Sequence, residues 1–207
     1  MNAKLFSCRA AQAAVLFGLL CAVFMSMANF DAACGDLREN VLRLHIIANS
    51  DSEADQAVKL AVRDRILAET ADVFENETDI KAAEKSVNDN LSRFEQTAKE
   101  VLTENGFSYG ASAQIGDSYF ETREYDDFTL PAGTYRSLII KLGNAKGKNW
   151  WCVVFPAVCV PAAVPDAELS DSVSETSAEI AEHPKKYVMR FKTVEIYEDL
   201  KKFFSDK

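Results

Sequence analysis

The residues best suited to chemistry in this 207-residue chain begin at His45. Asp51 and Ser52 follow it, so a Ser-His-Asp hydrolase has to be weighed. The histidine would take the serine proton and the carboxylate would hold the imidazolium. No Gly-x-Ser-x-Gly elbow accompanies them. His45 also sits between Leu44 and Ile46, in an apolar run where a histidine is normally a satisfied core residue. An exported cell-wall or peptide hydrolase using His45 and Asp51 is therefore the second reading. Asn49, Asp51, Glu53 and Asp55 alternate like calcium ligands, but the loop glycine is missing and Leu60 holds the twelfth position. Gly143-Asn144-Ala145-Lys146-Gly147-Lys148-Asn149 looks like a phosphate loop. It is one residue short between the glycines, and Asn149 stands where Ser or Thr must hold magnesium. It reads as a hairpin turn. Two histidines and five cysteines leave little for a zinc site, so no metal and no cofactor are expected.

Composition narrows the class. Hydrophobic residues make up 48% and charged residues 27%, the range of a globular domain. Acidic residues outnumber basic ones 32 to 23, a formal charge of -9. That excludes a nucleic-acid binder, which needs basic surface to displace counterions from phosphates. An exported binding domain outranks an enzyme.

Lys4 and Arg9 precede an uncharged run of 21 residues, 10–30, which ends in small residues around Ala28. A basic start, an apolar middle and a small-residue end fit a signal peptide over 1–28, cleaved after Ala28. The same run is long enough to remain as a membrane anchor. With Lys4 and Arg9 held inside, the bulk of the chain faces outward in both cases. Ala32-Ala33-Cys34 hints at a lipoprotein site, but Asp31 stands where an aliphatic residue belongs. Removal of 1–28 takes away two basic residues and moves the charge from -9 to -11. It leaves Cys34, Cys152 and Cys159. Oxidising surroundings favour a Cys152–Cys159 disulfide, the alternative being two buried thiols.

Residues 41–48 are branched and free of Gly and Pro, a strand for the middle of a sheet. Ser50 with Glu53 makes a capping box. Ala54, Ala57, Val58, Ala61, Val62 and Ile66 then recur at helical spacing, predicting a helix of about twenty residues. Thr78 can cap a second helix marked by Val87, Leu91, Phe94, Ala98 and Val101, which stops at Asn105-Gly106. Residues 119–125, 135–142 and 150–155 read as strands, with a weaker one at 111–115. The predicted fold is α+β: a strand, two amphipathic helices and a mainly antiparallel sheet under them, over residues 36–160. Residues 161–184 hold three prolines and six acidic residues with no basic one, and read as an exposed linker. Residues 185–207 form an amphipathic tail, a helix or a strand and helix, able to dock on its own domain, a partner or a membrane.

Arg43-Leu44-His45-Ile46-Ile47-Ala48-Asn49-Ser50-Asp51-Ser52, with Asp55-Gln56, Lys59 and Val62-Arg63-Asp64 after it, resembles the opening motif of a known family. Pro131-Ala132-Gly133-Thr134-Tyr135-Arg136, the run Asn149-Trp150-Trp151-Cys152 and Cys159 complete the resemblance. The family is stage II sporulation protein R of endospore-forming bacteria. Phe191-Lys192-Thr193-Val194-Glu195 is similar to its C-terminal segment, while Ala157-Val158 stand where the family has Pro-Leu. The resemblance implies a signal made in the forespore and exported into the space between forespore and mother-cell membranes. Its partner would be a membrane-embedded, SpoIIGA-like aspartic-type protease of the mother cell, which removes the pro-sequence of pro-sigma-E. On this reading His45, Asn49, Ser50, Asp51, Asp55, Arg63, Trp150 and Trp151 are the partner-binding candidates. Trp150 and Trp151 alternate along a strand, so one can be core and the other exposed, the exposed one being the better candidate for an interface anchor.

Overall fold

The computed structural model describes residues 2–74, 77, 79–125, 128–156, 169 and 172–205. Helix α1 (Asn2–Asn40) leads into strand β1 (Leu42–Ile47), and α2 (Glu53–Phe74), α3 (Ile80–Asp89) and α4 (Leu91–Glu104) follow. Strands β2 (Ala111–Phe120), β3 (Arg123–Glu124), β4 (Thr129–Leu130), β5 (Gly133–Leu142) and β6 (Asn149–Phe155) come next. Helices α5 (Glu175–Glu182) and α6 (Val188–Ser205) close the chain. The main sheet has the order β2-β5-β1-β6. β1 runs parallel to β5 and antiparallel to β6, and β2 is antiparallel to β5. The fold is α+β with a mainly antiparallel sheet, and the first strand lies inside it.

Alternation along β1 divides the molecule into two layers. Leu42, Leu44 and Ile46 join Leu138, Ile140, Leu142 and Val154 beneath α2 and α4. Val58, Val62 and Ile66 recur every four residues, so one stripe of α2 closes that core, and Phe94, Ala98 and Val101 do the same for α4. Arg43 and His45 point to the other face. There Leu37 of α1 and Ala178 and Ala181 of α5 cover Phe120, Tyr135 and Val153.

Four expectations change. The first cap is Ser52, whose hydroxyl accepts the Asp55 N–H at 3.1 Å, while Ser50 turns to the Asp55 carboxylate instead. The second helix is two, broken at Asn90, whose Nδ2 donates to the Ser86 carbonyl at 2.8 Å. Asp79 caps its first half by accepting from Lys81 and Ala82, and Thr78 lies outside the described residues. The expected strand at 119–125 divides: β2 continues to Phe120, and a separate pair, β3 with β4, follows. Within the expected linker, residues 175–182 are helical and bury Ser177, Ala178, Ile180 and Ala181. Asp36 of α1 anchors them, accepting from Ser174 N at 2.9 Å and Ser177 Oγ at 2.6 Å. Small side chains let that helix sit against α1.

Candidate functional site

The strand exit at Asn49 and the hairpin between β5 and β6 are tied together by a polar knot. The Ala48 carbonyl accepts Gly147 N–H at 2.9 Å and the Asn49 carbonyl accepts Lys146 N–H at 3.2 Å. Asn49 Oδ1 accepts Asn144 N–H at 2.9 Å, and Asp51 Oδ1 accepts Lys148 N–H at 2.7 Å. Two glycines permit this approach. A Cβ on Gly147 would lie 2.2 Å from the Ser50 carbonyl oxygen. Gly143 has φ +54, and a Cβ there would meet Asn49 Oδ1 at 2.3 Å.

Asp55 is the centre of the knot, only 5% exposed. It accepts from Asn49 Nδ2 at 3.0 Å, from the Ser50 hydroxyl and from the Tyr109 hydroxyl. Burial pushes its carboxyl up, but the bonds from Ser50, Tyr109, Asn49 and Ser52 outweigh that and hold its pKa below the ordinary value. Tyr109 is pushed up by burial and by the same bond to Asp55. Lys59 lies beside it, donating to Gln56 Oε1 at 2.6 Å and the Lys148 carbonyl at 3.0 Å. Burial pulls the Lys59 ammonium down from its ordinary value, against the opposing charge of Asp51. Asn49, Ser50, Asp51 and Asp55 are therefore brought together, and their bonds are spent on holding a shape.

His45 stands apart from them. Its Nδ1 lies 3.2 Å from Ser118 Oγ, and its ring packs against Phe120 and Trp151. Asp51 is engaged with Lys148, so the histidine and carboxylate of the hydrolase reading have different partners. Burial lowers the His45 pKa; Asn149 opposes that, and Arg43 and Lys141 add to it. The ring is thus kept neutral.

Both tryptophans are half-buried, on opposite faces, and each carries an arginine as a roof. Arg63 lies 4.4 Å from the Trp150 ring centre, and Arg123 lies 4.8 Å from that of Trp151. The division into one core and one exposed indole does not occur, because both indoles lie at the open start of β6, whose residues 152–155 are buried. Arg63 also donates to Asp64 at 2.7 Å. With Leu60, 37% exposed, these side chains give α2 and the start of β6 one mixed apolar and charged surface beside the knot. Cys152 is buried on β6, whereas Cys159 lies outside the described residues.

Sequence reasoning missed Tyr109, which is 54 positions from its acceptor and has no motif around it. It also missed the environment of Arg43. That side chain is fully buried, 3.8 Å from the Phe120 ring centre and 4.9 Å from that of Tyr135, and Nη2 donates to the Tyr125 hydroxyl. Its place on the polar-alternate side of β1 was readable; the aromatic cage was not. Among the described residues no group of three His, Cys, Asp or Glu could hold a metal ion.

The segment that builds this knot and both sheet faces is also the segment that matches a family. The family described as Stage II sporulation protein R matches residues 38–164. The chain belongs to the stage II sporulation protein R family. One member, Stage II sporulation protein R of Bacillus subtilis (strain 168), is 36% identical over 121 residues, 58% of this chain and 54% of that protein. The chain thus spans about half the length of the curated relative it matches. No solved structure matches it. Family membership makes this a sporulation protein. The matched residues start just before β1, so the apolar part of α1 lies outside them.

Proposed function

We propose that this chain is an exported sporulation signal that crosses the forespore membrane and activates a membrane-embedded aspartic-type protease of the mother cell. The protease then removes the pro-sequence of pro-sigma-E. The observation that carries the reading is the coincidence of the family match with the knot and its adjoining surface. The N-terminal helix supports the export step. Within residues 10–40 an 18-residue window has a mean hydropathy of 2.1, the helix is long enough to cross a membrane, and Val15, Leu16, Phe17 and Leu20 are all exposed.

The contact surface is the outer side of α2 with the start of β6: Leu60, Arg63, Asp64 and Trp150. Its indole and guanidinium are held in place by stacking, so a partner gains contact area without ordering two long side chains. The knot serves that surface by fixing the β5–β6 hairpin, and with it Trp150, against α2. Activation requires that the signal bind the active state of the protease more tightly than the inactive one. Pro-sequence removal in cells carrying the protease and pro-sigma-E, with and without this chain, tests the reading. Processing is expected only when the chain is present and exported. Absence of processing despite confirmed secretion overturns it.

A further inference from the structure

Helix α6 has two apolar faces. Phe191 and Val194 close on Phe30 and Cys34 of α1. The other face is open to solvent: Met189 is 81% exposed and Phe204 71%, with Ile196, Tyr197, Leu200 and Phe203 between 54% and 59%. Met189, Ile196 and Phe203 recur every seven residues, Leu200 falls between the last two, and Tyr197 and Phe204 widen the strip on one side. At helical pitch all six share one arc. Arg190, Lys192 and Lys201 border it, Lys192 pairing with Glu195 at 2.8 Å and Lys201 with Glu198 at 3.8 Å, and Lys185 and Lys186 precede it. A contiguous apolar strip of this kind on a surface marks an interaction site.

Its position identifies the partner. Thr193, Val194 and Tyr197 line a shallow cavity together with Phe24, Met27 and Ala28 of α1, with Asp31 at its domain end. Arg190 Nη2 donates to Ser26 Oγ at 2.8 Å. The strip on α6 therefore continues the exposed apolar surface of α1, which runs back from Met25 through Phe24, Val23 and Leu20 to Val15. A bilayer that surrounds that part of α1 reaches Tyr197 as well. We infer that α6 is an interfacial helix, lying in the headgroup region of the membrane that α1 enters. Its apolar strip meets the acyl boundary and its lysines and arginines meet anionic lipid phosphates. The inference rests on the reading of residues 10–25 as membrane-embedded. Its consequence is orientation: two helices in one membrane fix which side of the domain faces the partner.

The test uses the full chain reconstituted into vesicles of phosphatidylcholine and phosphatidylglycerol, with lipids brominated near the top of the acyl chain. In Phe203→Trp the quenched fraction of emission is expected to rise about twofold over the unsubstituted chain, whose Trp150 and Trp151 set the baseline. Replacing Leu200 and Phe204 by Glu in that background is expected to return it to baseline. Ile196→Trp reads the same strip seven residues away, so the answer does not depend on one variant folding. Vesicle flotation separates the two readings. A chain that floats while both added indoles stay unquenched overturns the α6 inference and leaves α1 embedded. A chain that does not float overturns both. Unquenched indoles together with a cross-linked pair of chains through the strip assign the surface to a second copy and overturn the inference too.

Discussion

At the scale of single residues, one carboxylate carries more of the structure than any candidate for chemistry. Asp55 accepts from Asn49, Ser50 and Tyr109, and an amide in its place would face those donors with a single oxygen. Asp55→Asn is expected to lower stability by about 2–3 kcal/mol, measured by urea unfolding. His45 ties folding to pH. Its folded pKa lies below the ordinary 6.5, so the unfolded chain binds a proton that the folded one refuses. Stability is therefore expected to fall as pH drops from 6.5 toward the lower folded value. His45→Gln should flatten that part of the profile while pro-sigma-E processing persists. Arg43, with Nε and Nη1 unbonded among the described residues, is a buried cation held by aromatic rings. Replacing it with Met is expected to leave stability within about 1 kcal/mol or raise it. The role of Asp55 was half legible: its place in the motif is plain, but its Tyr109 donor comes from a distant turn that no local pattern links to it.

At the scale of elements, the hairpin between β5 and β6 is where the knot can be broken without touching a functional side chain. Gly147→Ala drives a Cβ into the Ser50 carbonyl and is expected to cost about 2–4 kcal/mol. Gly110→Ala has nothing within 4 Å and is expected to stay within about 0.5 kcal/mol; thermal midpoints of the two variants check the contrast. Elements were legible where one periodicity ran unbroken. Val58, Val62 and Ile66 announced α2, and the branched run 41–48 announced β1. They were illegible where a local polar choice or a distant partner decided. Asn90 interrupts the second helix through its bond to Ser86, and the apolar stripe passes across that break unchanged. Residues 175–182 have the composition of a linker, and become a helix because α1 offers Asp36 for the cap and a surface that Ala178 and Ala181 fit.

At the scale of the whole molecule, α1 runs from its apolar start into the folded domain as one helix. Its apolar half is exposed, and its second half buries Phe30, Ala33, Cys34 and Leu37 inside the fold. The apolar run made the exposed start of α1 readable, but nothing in it showed that Phe30, Ala33, Cys34 and Leu37 belong to the core. The knot and the stacked arginine and indole hold the surface of α2 and the start of β6 in one shape. On the proposed function this surface contacts the protease. Co-purification of the full chain with the protease from membranes holding both tests that contact. The unsubstituted chain is expected to be retained, and Arg63→Glu or Trp150→Ala, checked for folding by near-UV circular dichroism, to lose at least about tenfold in retained protein, an effect of one interface hot spot. Equal retention of folded Arg63→Glu and Trp150→Ala would rule out this surface as the contact.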